Sequence, residues 1–142
     1  MEEGRPDHWQ KTMRFPHTGI NMNIIGKIEL EEMRFWAFHG CLESEKKKGN
    51  LFLVDFTGEL DMHDAAASDN LEYTVNYADI YEIIRKEMEI SSDLLEHVAG
   101  RIVQAIAEAY PEFLRFSVRV SKHNPPVGGP VEWSRVTLSY NR

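Results

Sequence analysis

The chain has 142 residues, 42% of them apolar and 27% charged, and carries a formal net charge of −7. That length supports one domain with a sizeable core, and the composition excludes wholesale disorder and low complexity. The acidic balance argues against a nucleic-acid partner, since phosphate backbones repel it. No apolar run approaches the roughly 18 residues of a membrane span, so no membrane partner is expected. Cys41 is the only cysteine. It excludes an intrachain disulfide and every multi-cysteine zinc motif, and fits a reducing, cytoplasmic setting.

Residues 1–23 contain Gly4, Pro6, Pro16 and Gly19 among polar residues, without sustained periodicity. Arg14, Pro16 and His17 interrupt every candidate signal-peptide core. The stretch reads as an N-terminal extension, with Met13 and Met22 as alternative starts, to a domain spanning 24–142. From Ile24, Ile28 and Leu30 alternate with charged residues. Met33, Phe35 and Ala37 then interleave with Arg34, Trp36 and Phe38. This predicts a strand with both faces partly covered, ended by Gly40. Residues 41–50, with Lys46, Lys47 and Lys48, read as an exposed loop closed by Gly49. A second strand follows, with Phe52, Val54 and Phe56 on one face.

Residues 61–70 are acidic and small and read as a connector. Tyr77, Ile80, Ile83, Ile84 and Met88 recur at helical spacing. Ser91, Ser92 and Asp93 separate that helix from a second, over about 94–110, with Leu95, Val98, Ile102, Ala105, Ile106 and Ala109 on one stripe and Pro111 at its end. Leu114, Phe116, Val118 and Val120 alternate with polar residues in a half-buried third strand. A Pro/Gly-rich turn, Asn124 to Pro130, leads to a fourth strand with Val136, Leu138 and Tyr140 on one face. Runs of strands and of helices in this order predict an α+β fold with an antiparallel sheet and both helices on one face.

Lys122 continues the apolar face of the third strand by two residues, so without a bulge its amine points to the core side. Apolar surroundings favour a neutral amine able to act as acid or base; a lysine snorkelling from a strand end is the commoner outcome of such a pattern. Glu96 falls in a first helical turn. Its spacing from Asp93 suits a capping box, while a free carboxylate there could accept two parallel N–H bonds from a planar amidine-like group. Glu45 is either a solvated loop charge or a site acid, with Glu43 a rival. Tyr77 opens a helical stripe, as a core residue would. His39 beside Gly40 invites a metal, yet the six histidines show no zinc-binding spacing. Walker, Gly-x-Gly-x-x-Gly and Gly-x-Ser-x-Gly motifs are absent.

Taken in order, these segments resemble dihydroneopterin aldolases. Gly26 to Leu30 with Met33-Arg34-Phe35 resembles the family's opening strand. His39-Gly40, Glu45 and Gly49 match its first loop. Thr74-Val75-Asn76-Tyr77, Leu94-Leu95-Glu96-His97 and Ser121-Lys122-x-Asn124-Pro125-Pro126 match three further motifs. The chain departs from the family at His123, where a proline is frequent, and over Val127 to Trp133, where family members often carry Pro-Gly-His-Tyr.

The resemblance implies the tunnelling fold, a four-stranded antiparallel sheet (ββααββ) with two helices on one face. It implies rings of four subunits stacked into a homo-octamer, with sites between subunits. The implied reaction is retro-aldol cleavage of 7,8-dihydroneopterin in folate biosynthesis, without metal, cofactor or Schiff base. Lys122 would be the acid/base, with Tyr77 of a neighbouring subunit as proton-transfer partner. Glu45 would sit beside the substrate side chain and Lys122. Glu96 would pair with the pterin N3–H and 2-amino group, and Val75 and Leu95 would supply backbone contacts. The rivals are a dihydroneopterin (or its phosphate) 2′-epimerase, a zinc-dependent tunnelling-fold pterin synthase lacking its histidine set, and a non-catalytic pterin-binding module.

Overall fold

A computed structural model describes residues 23–142; the N-terminal extension, 1–23, lies almost wholly outside them. The chain order is β1 (Ile25–Ala37), α1 (Glu43–Lys48), β2 (Asn50–Asp61), α2 (His63–Ser68), a 3-10 turn (Leu71–Tyr73), α3 (Tyr77–Met88), α4 (Leu95–Ala109), β3 (Arg115–His123) and β4 (Trp133–Asn141). The four strands form one antiparallel sheet in the order β1-β2-β3-β4. Helices α3 and α4 cover one face. The other face carries cross-strand ion pairs, Arg119 with Asp55 at 3.1 Å and Arg115 with Glu59 at 3.4 Å. Among the described residues, β1 and β4 are the edge strands.

The core forms because the predicted apolar faces meet. Phe52, Val54 and Phe56 of β2 and Phe116, Val118 and Val120 of β3 are buried beneath Ile80, Ile84 and Met88 of α3 and Val98, Ala99, Ile102 and Ile106 of α4. Removing each such side chain larger than alanine from water stabilises the fold by about 1.5–3 kcal/mol. Asn76 caps α3, its side chain accepting from the Ala78 N–H at 2.9 Å.

Four expectations need correction. Strand β1 is not covered on both faces. The register slips between Leu30 and Met33, with Glu32 at φ 55° and its N–H on Asp55 Oδ1 at 2.8 Å. This bulge resets the alternation, so Ile28 and Leu30 before it and Met33, Phe35 and Ala37 after it all face the core. Residues 41–50 are not simply loop, because Glu43–Lys48 is helical. The connector 61–70 contains helix α2. Finally, Leu114 is exposed and Phe113 is buried in its place. The Phe113 ring lies over Gly58, where a Cβ would come within 2.5 Å of it. Only glycine leaves room there.

Candidate active site

Lys122 lies opposite Phe52 of β2 and Ser134 of β4, in phase with Phe116, Val118 and Val120. No bulge intervenes, so its amine emerges on the helix side. It does not snorkel. Its side chain is 12% exposed, and Nζ donates to Glu45 Oε2 at 2.7 Å. His123, one residue on, packs edge-on against Trp133 with ring centroids 4.8 Å apart. The Asn50 amide donates to the His123 carbonyl at 2.6 Å, fastening the strand end.

Glu45 reaches Lys122 because α1 forms. A six-residue helix does not hold itself in water. This one is held by local contacts at its start and a tertiary ion pair. Glu45 Oε1 accepts from the Leu42 N–H at 3.2 Å, and Lys46 donates to the Gly40 carbonyl at 2.7 Å and pairs with Asp93. Gly40, at φ 147°, lies directly under the Glu45 carboxylate, which a Cβ would meet at 2.3 Å. Glu43 is exposed, and Glu45 is the acid that pairs with Lys122. Burial raises the Glu45 pKa, but the Lys122 hydrogen bond, the Leu42 N–H and the Lys122 and Lys46 charges outweigh it, and the net shift is downward. Glu45 is therefore a carboxylate at neutral pH.

The same loop grips the start of α4. The Gly40 N–H donates to the Ser92 carbonyl at 2.9 Å, and the Ser92 N–H donates to His39 Nδ1 at 3.0 Å. Leu95 and Glu96 follow in the first turn. Asp93 does not cap the helix, because its carboxylate is engaged by Lys46; Leu94 is the N-cap, and no side chain caps it. The capping-box expectation for Asp93 and Glu96 is thus overturned. Glu96 is exposed, and among the described residues no hydrogen bond or ion pair engages it.

The structure brings Lys122, Glu45, Leu95 and Glu96 to one end of the subunit. It does not bring Val75 and Tyr77 there. Tyr77 opens α3, whose far end, Met88, packs at His39; the helix places the two about 16 Å apart along its axis. Tyr77 is 62% exposed rather than core, whereas Val75 is buried. Among the described residues no group of three or more His, Cys, Asp or Glu could hold a metal ion, and no helix is long and apolar enough to cross a membrane.

His39 is the participant that the sequence left undefined. Burial pushes its imidazole from an ordinary 6.5 down to about 4, helped by the Arg101, Lys122 and Lys46 charges and opposed by the Met88 carbonyl. A histidine whose pKa is depressed by folding contributes stability that is complete above about pH 6.5 and is lost as pH falls through about 4. The shift corresponds to about 3 kcal/mol. Tm is therefore expected to fall between pH 6.5 and 4. His39→Asn, which cannot take the proton, should flatten that fall; an unaltered slope would locate the acid sensitivity elsewhere.

A four-stranded antiparallel sheet backed on one face by two long helices, connected in this order, is a tunnelling-fold subunit. The Escherichia coli dihydroneopterin aldolase, solved in complex with neopterin, superposes with a TM-score of 0.74 over 82% of this chain and 99% of its own, at 20% identity. A Burkholderia dihydroneopterin aldolase bound to guanine gives 0.68 over 83% and 92%, at 12% identity. The dihydroneopterin aldolase family model matches residues 28–139. Identity to the Staphylococcus epidermidis dihydroneopterin aldolase is 39% over 109 residues, covering 76% of this chain and 88% of the relative. To the Streptococcus pyogenes serotype M6 enzyme it is 35% over 119 residues, covering 83% and 100%. The chain belongs to the dihydroneopterin aldolase family. Its activity is that of an aldehyde-lyase of folate biosynthesis.

Proposed function

We propose that Lys122 is the acid/base of a retro-aldol cleavage that converts 7,8-dihydroneopterin into 6-hydroxymethyl-7,8-dihydropterin and glycolaldehyde. The observation that carries this reading is the half-enclosed Lys122–Glu45 pair, 2.7 Å apart, at the end of the subunit where Glu96 opens α4. The substrate's N5=C6 imine is its own electron sink. As the C2′ hydroxyl gives up its proton through water to the lysine system, the C1′–C2′ bond breaks. Its electron pair forms the C1′=C6 bond, N5 takes a proton, and C2′ leaves as the aldehyde. Protonation at C1′ with loss of the N5 proton then restores the imine. The protein must place the ring and move protons, and need not form a covalent bond.

Glu96, exposed and uncommitted among the described residues, binds the 2-amino and N3–H edge of the pterin. The neopterin held by the Escherichia coli protein and the guanine held by the Burkholderia protein both present such a donor pair. Leu95 and, from a neighbouring subunit, Val75 supply backbone contacts. Tyr77 acts from a neighbouring subunit, since its own helix carries it away from Lys122. The edge strands β1 and β4 suit closure of four sheets into a ring, and two rings into an octamer. The domain itself spans 24–142, and the protein is cytoplasmic.

Product analysis tests the reading. From 7,8-dihydroneopterin, glycolaldehyde and 6-hydroxymethyl-7,8-dihydropterin are expected, with full turnover in chelator. Monapterin as the main product would identify re-addition on the opposite face and hence a 2′-epimerase. No turnover with intact pterin binding would identify a silent binding module.

A further inference from the structure

We propose that His39 is a positioning residue that fixes the spacing between the two halves of the site, the Glu45–Lys122 pair and the Leu95–Glu96 helix start. The inference rests on the reading of that site given for Lys122 and Glu96. Three consecutive residues at the end of β1 are stitched to the turn before α4. Ser91 Oγ donates to the Phe38 carbonyl at 2.6 Å, the Gly40 N–H donates to the Ser92 carbonyl, and the Ser92 N–H donates to His39 Nδ1. The imidazole here replaces a backbone carbonyl as acceptor.

The ring also touches the other half. It is 1% exposed and meets Phe52 edge-on, centroids 5.1 Å apart, and Phe52 is the direct cross-strand neighbour of Lys122. One side chain therefore spans from the Lys122 register to the turn that aims Glu96. That turn is held from its other side as well. Ser92 Oγ accepts from Arg101 at 2.9 Å and pairs with His97 Nδ1 at 2.8 Å, while Arg101 also donates to the Ile90 carbonyl at 2.7 Å. With Ser92 so constrained, a change at His39 has few ways to relax except through the helix start.

Packing alone does not call for histidine. With Nδ1 accepting, Nε2 carries the hydrogen and faces the Met88 carbonyl, buried and without a well-formed hydrogen bond. A buried donor left so is costly, and a leucine would fill the space without that cost. The acceptor function of Nδ1 is what leucine lacks.

His39→Leu and His39→Asn separate the two roles, because asparagine keeps an acceptor near the Nδ1 position. Leucine should raise KM at least about tenfold and lower kcat/KM about 30–100-fold, as expected of a displacement near 1 Å; asparagine should remain within about fivefold of the parent. Loss of folded enzyme alone would lower kcat without raising KM. An unchanged KM in His39→Leu, or equal impairment of both variants, would overturn the proposal. Should the leucine variant fail to fold, 15N-histidine NMR of the parent decides: the Nε2–H tautomer is expected, and an Nδ1–H tautomer would overturn it. Lys122→Ala in the same assays keeps the outcomes apart. Turnover lost there but KM intact in His39→Leu removes only the positioning role; turnover kept in Lys122→Ala removes the site reading itself.

Discussion

Lys122→Ala is expected to cut turnover about a thousandfold, within the range that general acid–base groups contribute, while pterin affinity stays within a few-fold of the parent. Affinity survives because the proposed ring contacts, at Glu96, Leu95 and Val75, do not involve the amine. The variant should also be less stable. Glu45, 12% exposed beside the lysine, would keep the Leu42 N–H as its remaining hydrogen-bond partner. Stranding a carboxylate in this way costs on the order of 2–3 kcal/mol, somewhat less than for a fully buried pair. A second substitution separates stability from chemistry. In Lys122→Ala/Glu45→Gln the uncompensated charge is gone, so Tm should recover while turnover does not. Stopped-flow turnover, product fluorescence titration and a thermal melt measure the three quantities. Turnover that returns together with Tm would mean that Lys122 maintains structure and moves no proton.

Most of the scaffold was legible because the two periodicities are clean. Val98, Ile102 and Ile106 keep a helical stripe, and Phe116, Val118 and Val120 keep a strand face; the structure buries each of them. The Lys122 direction followed from the same alternation. What escaped had local causes. The bulge at Glu32 left only a phase break, Leu30 to Met33, which two half-covered faces explain equally well. Helix α1 is too short for hydrophobic periodicity. Its signal was the order of charges: Glu43 and Glu45 first, three lysines last and Gly49 at the end, as the helix dipole and a glycine stop prefer. Reading that order would have placed Glu45 on a helix facing Lys122. Phe113 against Leu114 could not be settled by alternation, since the choice depends on the bare backbone of Gly58 on the preceding strand, far away in sequence. The neutral role of His39 was equally hidden, because its partner, Ser92, is fixed only in the folded chain.

Glu96→Gln should produce the opposite pattern to the lysine variant, weak binding in a fully stable protein. The structural reason is that, among the described residues, no hydrogen bond or ion pair engages Glu96. It is exposed, Asp93 is committed to Lys46, and no capping box exists for the glutamine to break. Losing a first-turn negative charge costs about 0.5 kcal/mol through the helix dipole, so Tm should barely move. The pterin edge is more demanding. Two parallel N–H donors require two acceptors, and a glutamine offers one acceptor and one opposing N–H group. The loss of a charge-assisted hydrogen bond, about 1.5–3 kcal/mol, corresponds to roughly 10- to 150-fold in affinity. An analogue lacking the 2-amino group should bind the parent as weakly as the natural pterin binds the variant, and the two losses should not add, because each removes the same pair of contacts. Isothermal titration of parent and variant with both ligands gives that cycle directly. Additive losses, or unchanged affinity in Glu96→Gln, would leave Glu96 as a dipole charge and require another group to hold the ring.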